Sequence, residues 1–511
     1  MTDTAVNAQS QLKPLSAIVS NSKVWVAVIA VATVCFYLSG PLGPDVSWLI
    51  TVSERILAGQ TLYVDILEPN PPVAGYLYML PVWLAQLLGV PPEPLVIAYT
   101  VAAGLLSSGV TVRLVRRYTL LKRAELLWPM AFLLIGSAWG EDFAQREHFV
   151  TMAALPLFVA IALRAQGTRP QLWHWILAGM CGGFILAVKP HFAFAILLPV
   201  LYAALRRRSL RPLVGAPELW LAGSLFVAFL AMIWFFFPGF AANILPAAAP
   251  TYVLDRRDMI VLLSQPFVMF FLVLLAASIA GYRHNIGANP LLGTIFFGAI
   301  GFAIAFFAQG RGYIYQMMPA ITLIGLFFVM SFAENADGRR RTVETAMATL
   351  CALVLAGIPL LNDLYAWKVR APLYAAIEPY GPNLKIVNIL PDLTAGSPLH
   401  RMVHGTLVNS PPGLLMTMSV LRLRMERQPT GEWAAAIDAV ENGERTRLRQ
   451  DMQNQPPDII VTSATSYDWF DWAKQDPQIA AIVAGYEDFA VVPYQGYDIR
   501  LLRRAGLKPI R

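Results

Sequence analysis

Four short polar segments interrupt an apolar sequence and carry the residues able to do chemistry. The first holds Asp45, then Glu54 and Arg55, then Asp65 and Glu68 ahead of the pair Pro71-Pro72. The second, Trp139 to His148, packs Glu141, Asp142, Gln145, Arg146, Glu147 and His148 between two apolar runs. The third is Lys189-Pro190-His191, and the fourth holds Gln309, Arg311, Tyr313, Tyr315 and Gln316. Residues 238–259, with Tyr252, Asp255, Arg256, Arg257 and Asp258, could cover a site. A carboxylate can take a proton from a hydroxyl. A cation can steady a leaving phosphate. Acids and isolated cations gathered at one membrane face suit sugar transfer from a lipid phosphate, on the side where soluble nucleotide sugars are absent.

Plainer roles compete for the same residues. Glu54 reads as an ordinary interfacial carboxylate, Lys189 can snorkel from a helix end, and the tyrosines can form an aromatic belt. Arg146 can pair with Glu141 or Glu147, although charge near membrane depth tends to be functional as well as paired. Asp45 with Asp142 could host Mg²⁺ or Mn²⁺ through oxygen ligands. Nucleotide chemistry is not expected: there is no Walker A pattern, and the pair Gly182-Gly183 sits inside an apolar run. Arg146-Glu147-His148 lacks the second histidine of a zincin.

The elements that must position these residues are membrane helices. Of the 511 residues, 57% are hydrophobic and only 14% charged, against about 25% charged in soluble domains. Apolar runs of about 17 residues or more, enough to span a bilayer, recur through the first two thirds. The spans expected are 24–40, 95–112, 125–140, 149–163, 172–188, 191–205, 218–238, 260–281, 290–308, 317–333 and 345–361. Basic clusters at Arg113–Arg123, Arg164 and Arg169, Arg206–Arg211, Arg283 and Arg339–Arg341 alternate with the polar segments. The positive-inside rule puts these clusters in the cytoplasm and the polar segments outside. The net charge of +7 thus belongs to short inner loops rather than to a nucleic-acid surface. The run 73–88 would invert every later cluster if it crossed, so it is expected as an outer juxtamembrane or re-entrant helix. Cys35, Cys181 and Cys351 lie in apolar runs and suggest neither disulfide nor metal site.

The organisation expected is a cytoplasmic tail (1–23), a membrane module of about 11 transmembrane helices (24–361) with a first outer loop at 41–94, and an extracytoplasmic α/β domain (362–511). In that domain 384–390 and 458–461 read as buried strands, 431–450 as a helix and 489–502 as a hairpin.

This order of motifs resembles the GT-C superfamily of polyprenyl-phosphate-sugar glycosyltransferases, which includes bacterial aminoarabinose transferases and protein mannosyltransferases. The resemblance covers the membrane portion. It rests on Asp45 early in the first outer loop, on Gly59, Tyr63 and Asp65, on Pro71-Pro72 followed by Tyr76, and on Gln145-Arg146-Glu147-His148. It implies that Asp45 is the catalytic carboxylate, with Asp65 and one of Glu141, Asp142 and Glu147 as further acids. Lys189, His191, Arg146, His148, Arg311, Tyr315 and Glu68 are then candidates for holding substrate. The implied donor is a sugar on a polyprenyl phosphate, with or without a divalent metal. The acceptor is an envelope glycan, lipid or protein at the periplasmic face of a bacterial inner membrane. Asn70, where members often have Lys, departs from the pattern and weakens a claim to a specific aminoarabinose transferase; Tyr315-Gln316 stands in place of a His-Tyr pair, which passes phosphate contact there to Arg311 or Lys189. Two other readings use the same helices: a transporter or flippase of lipid-linked sugars, and a non-catalytic scaffold of an envelope-glycan complex. A transporter would favour internal repeats and broken midplane helices, and the sequence shows neither.

Overall fold

A computed structural model describes residues 21–335, 341–463 and 467–510. The cytoplasmic tail expected at 1–23, apart from its last residues, and Arg339 and Arg340 of the last basic cluster lie outside the described residues. The chain is polytopic and mostly α-helical, with a small β-sheet region near its C-terminus. It divides into two compact units.

The first unit takes residues 1–39, 96–229 and 257–361. A helix occurs at every span expected from the sequence. These are Ser22–Leu38, Pro92–Arg117, Ala124–Ala131 continuing as the π-helix Phe132–Ser137, Arg146–Gln166, Leu172–Val188, Ala193–Arg207, Pro217–Phe236, Pro266–Ala288, Pro290–Gln309, Ile314–Glu334 and Arg341–Ile377. Among the described residues seven are long and apolar enough to cross a membrane; the others are shorter. Several open with proline at the first helical position, where its missing N–H costs nothing.

Arg146–Gln166, Pro290–Gln309 and Ile314–Glu334 are the buried heart of this unit. Pro217–Phe236 is the opposite, with Trp220 67%, Trp234 73% and Phe235 74% exposed on an apolar helix. A water-facing surface of that kind is not tolerated; a lipid-facing one is. Buried polar bonds tie the helices together. Tyr37 donates to the Ser137 carbonyl at 3.0 Å and stacks on Phe143 at 3.7 Å. Arg164 forks onto the buried Glu218 at 2.8 and 2.9 Å, and Glu334 accepts the backbone amides of Lys122 and Arg123.

The second unit gathers residues 40–95, 230–256 and 362–511. Its sheet has the order β2-β1-β3-β5-β4, from β1 (Lys385–Asn388), β2 (Thr406–Leu407), β3 (Ile459–Thr462), β4 (Tyr486–Tyr494) and β5 (Tyr497–Arg504). β1 runs parallel to both β2 and β3; β5 runs antiparallel to β3 and β4. Central β3 is buried along its whole length and β1 from Ile386 to Asn388, as strands covered on both faces must be. The hairpin β4–β5 turns on Gln495 and Gly496, both at positive φ (47° and 87°), the signature of a two-residue type I′ turn. The helix expected at 431–450 is Gly431–Asn454.

Two expectations change in detail. The run 73–88 forms two short helices, Val73–Tyr76 and Met79–Leu88, rather than one. Ten residues rise about 15 Å, half the thickness of a hydrocarbon core, so the second of these does not span. Leu80, Trp83, Leu84, Leu87 and Leu88 form one exposed stripe along it. The helix placed at 345–361 continues to Ile377, because no proline or glycine interrupts it between Pro359 and its end apart from Pro372 in its final turns.

Candidate functional site

Three turns of the first unit converge on one ion pair. Glu147 lies in the first turn of Arg146–Gln166, and its carboxylate meets the Lys189 ammonium at 2.6 Å. Lys189 follows the last residue of Leu172–Val188, where an extended backbone ends the helix and the next peptide enters the 3-10 turn Pro190–Phe192. The Glu147 side chain is wholly buried and that of Lys189 is 11% exposed. The ammonium also lies 3.5 Å from Gln309 Oε1 and 5.2 Å from the centre of the Tyr315 ring. Gln309, the last residue of Pro290–Gln309, hydrogen-bonds His191 through its side-chain amide. Arg146, 3% exposed, adds a second positive charge beside Glu147. Two buried cations and one buried carboxylate meet here, and charge-assisted bonds from such cations are ones a phosphate can accept.

Arg311 stands two residues beyond Gln309, 8% exposed, with its guanidinium 5.9 Å from the Tyr313 ring. Its carbonyl accepts from Arg257 Nε at 3.1 Å, and Gly310 accepts from the Arg257 amide at 2.8 Å. Thus Arg257, at the end of the stretch 238–259, is pinned to the turn that carries Arg311. Tyr313 and Tyr315 stack at 5.7 Å.

The turn before Glu147 is held by sterics and by His148. The π-helix Phe132–Ser137 widens the end of its helix, and such bulges are frequent at functional sites. Gly140 follows at φ +55°; a Cβ there would come 2.1 Å from the Pro359 carbonyl oxygen, so only glycine lets the two segments approach. Glu141 and Asp142 sit half-buried on the 3-10 turn Gly140–Asp142. His148, expected at the substrate, is instead a scaffold residue. Its Nε2 donates to the Ile135 carbonyl at 2.7 Å, which fixes Nδ1 as the acceptor from the Ala144 amide at 3.1 Å. Its ring stacks on Trp139 at 4.5 Å. With both nitrogens engaged and no exposure, it has nothing to offer a ligand.

The acids of the first outer loop belong to the second unit. Asp45 is half-buried in the first turn of the amphipathic helix Pro44–Leu57, next to Pro44 at its first position. Asp65 is exposed and accepts from the Thr61 amide at 2.8 Å, closing the turn after Gly59. Glu68, 1% exposed, accepts from the Trp48 indole and from the Asn70 amide at 2.9 Å. It braces the helix that bears Asp45. Tyr63, at φ 69°, donates its hydroxyl to the Asn70 carbonyl at 2.7 Å and packs edge-on against Phe237 and Phe240. Among the described residues no three His, Cys, Asp or Glu side chains gather as metal ligands.

The Glu147–Lys189 pair was missed by sequence reasoning. The usable signal is that two ionisable residues at the same end of adjacent membrane helices need each other.

No protein-family model and no curated protein matches the chain. Among solved structures it is similar to the crystal structure of ArnT from Cupriavidus metallidurans bound to undecaprenyl phosphate. The match has a TM-score of 0.51 at 14% identity, over 96% of this chain and 99% of that one. The likeness is one of fold alone.

Proposed function

We propose that the chain is an inverting glycosyltransferase, moving a sugar from a polyprenyl-phosphate donor to an envelope glycan, lipid or protein at the periplasmic face of a bacterial inner membrane. The observation that carries this reading is the buried cluster of Arg146, Glu147 and Lys189, ringed by His191, Gln309 and Tyr315. It occurs in a fold whose solved ArnT example holds undecaprenyl phosphate.

Each part has a separate task. Lys189 and Arg146 hold the donor phosphate, Glu147 keeps the ammonium of Lys189 oriented, and Arg311 adds charge at the neighbouring turn. Asp45 accepts the proton of the acceptor hydroxyl. The hydroxyl oxygen bonds to the anomeric carbon as the bond from that carbon to the phosphate oxygen breaks. The electron pair leaves with the polyprenyl phosphate, whose added negative charge the cations stabilise. A divalent ion, if used, would be held by no more than a few carboxylates such as Asp45 or Asp142 together with water and substrate oxygens, as Mg²⁺ accepts.

Parity favours the eleven-span reading. Residues 40–95, 230–256 and 362–511 form one unit and so share a side of the membrane. Crossings between successive members must therefore be even. The longest helices alone put Pro92–Arg117, Arg146–Gln166 and Pro217–Phe236 in the first interval, an odd number. Adding Ala124–Ser137, Leu172–Val188 and Ala193–Arg207 makes it even. The second interval holds Pro266–Ala288, Pro290–Gln309, Ile314–Glu334 and Arg341–Ile377, already even. With Ser22–Leu38 this is the eleven-span reading.

The test is transfer of label from purified polyprenyl-phosphate sugars to an envelope extract, with and without chelator, comparing wild type with Asp45→Asn at equal folding. Product from wild type and none from the variant upholds the reading and names the acceptor. Equal product from both removes Asp45 from the role. Counterflow of lipid-linked sugar without any product makes the chain a flippase. Neither product nor counterflow makes it a scaffold.

A further inference from the structure

The C-terminal domain grips the helix that carries Asp45. Thr51, Glu54 and Arg55 share one face of Pro44–Leu57 at the i, i+3, i+4 spacing. Arg401, from the short helix Ser397–Met402, meets that face with a fork: one terminal nitrogen is 2.7 Å from Glu54 Oε2, the other 3.1 Å from Oε1. Its first terminal nitrogen also lies 3.1 Å from the Thr51 hydroxyl, and its Nε donates to Glu93 at 2.6 Å. Glu93 sits in the first turn of Pro92–Arg117. One guanidinium, its side chain 10% exposed, therefore links the Asp45 helix, the start of a membrane helix and the domain. Its neighbour His400 adds a 3.0 Å bond from Nε2 to the Thr51 hydroxyl. In return Arg55 donates to the Asn409 and Leu407 carbonyls at the end of β2.

We infer that Arg401 is a positioning residue for Asp45, acting through the rotation of Pro44–Leu57; the inference rests on the proton-accepting role proposed for Asp45. Asp45 lies nine positions before Glu54, two and a half turns along and on the opposite face. Side-chain tips sit about 6 Å from a helix axis, so a 10° rotation moves the Asp45 carboxylate by about 1 Å. Misplacement on that scale costs on the order of 10²-fold in rate. The loop side of the helix is held by Trp48 on Glu68 and by Ser53 on the Gly75 carbonyl. Arg401 holds the opposite face, so rotation is fixed from both sides only while it is in place. Lysine keeps the charge but has a single point donor, so it cannot serve Glu54 twice while reaching Glu93 and Thr51.

The experiment compares the full-length wild type with Arg401→Lys in nanodiscs, reading transfer kinetics and amide hydrogen exchange. The expected result is a kcat lower by on the order of 10²-fold with the donor KM within about twofold. Exchange should quicken across 44–57 and stay unchanged in β3, which reports the domain fold. Exchange across 44–57 identical to wild type overturns the inference whatever the activity. So does an unchanged kcat in a protein whose wild type transfers and whose Asp45→Asn variant does not. Quickened exchange in β3 as well makes the role one of fold maintenance and also overturns it. A wild type without transfer refutes the proposed function instead, and the exchange result then still decides whether Arg401 holds the helix.

Discussion

Removing either partner of the Glu147–Lys189 pair should be far worse than removing both. The two charges are 2.6 Å apart, one side chain wholly buried and the other 11% exposed. At an effective dielectric of about 20 the Coulomb attraction is about 6 kcal/mol, set against several kcal/mol of desolvation for each ion. Lys189→Met leaves the buried carboxylate with Arg146 beside it but without its 2.6 Å partner, and Glu147→Gln leaves the ammonium without its carboxylate; each should cost about 3–5 kcal/mol. The double variant buries neither charge and should recover most of that loss. The assay is reversible unfolding of the detergent-solubilised protein, run as a double-mutant cycle. A coupling energy of about 3 kcal/mol or more is expected. Additive losses, with coupling under about 0.5 kcal/mol, would refute the reasoning, because the two groups would then be solvated independently. Polyprenyl phosphate binding should separate the roles further: the double variant, though stable, should bind weakly for want of the ammonium.

Two more expectations concern stability. Burial pushes the Glu444 carboxyl up to about 7, despite bonds from the Thr417 hydroxyl and amide and the Met416 amide. A raised acid contributes stability below its ordinary value near 4.5 and loses it as pH rises through about 7. Burial and the neighbouring Arg401 hold His400 down at about 3, so its contribution is present above 6.5 and is lost as pH falls toward 3. Melting curves from pH 5 to pH 8 should show Glu444→Gln gaining over wild type at the alkaline end only; a uniform shift at all pH values would dismiss the titration. Gly140→Ala should lower the melting temperature sharply, since its Cβ would overlap the Pro359 carbonyl and its φ is +55°; a melting temperature within a degree or two of wild type would show that the segments part freely.

Much of the membrane portion was legible because hydrophobicity and charge obey the bilayer rather than tertiary detail. Runs bounded by Arg206–Arg211 or by Lys189 had one reading, and helices stand at all eleven positions. The strands at 384–390 and 458–461 and the hairpin turn at Gln495-Gly496 were legible for a similar reason: local pattern and turn chemistry determine them. What could not be read depends on distance. Glu147 and Lys189 are 42 positions apart, and nothing local tells a snorkelling lysine from a paired one. His148 resembled a ligand because its sequence neighbours are polar, while the groups that engage it, Ile135 and Trp139, are not. Glu68 likewise seemed placed for substrate until its partner, the Trp48 indole, was seen. The two-residue β2 has no signal of its own; it is a strand only because β1 lies beside it.

The second unit is assembled from the second, the middle and the last parts of the chain. A ribosome delivers these in order, so the segment bearing Asp45 emerges long before Arg401 has been made. Until then Glu54 and Glu93 face water without their shared guanidinium, and Asp255 waits in the same way for Ser419 and Arg422. Insertion of the helices and completion of the outer unit are thus separate events in time. A ribosome that stops short of the final segment leaves every helix of the first unit made and the second unit without its sheet and without Arg401.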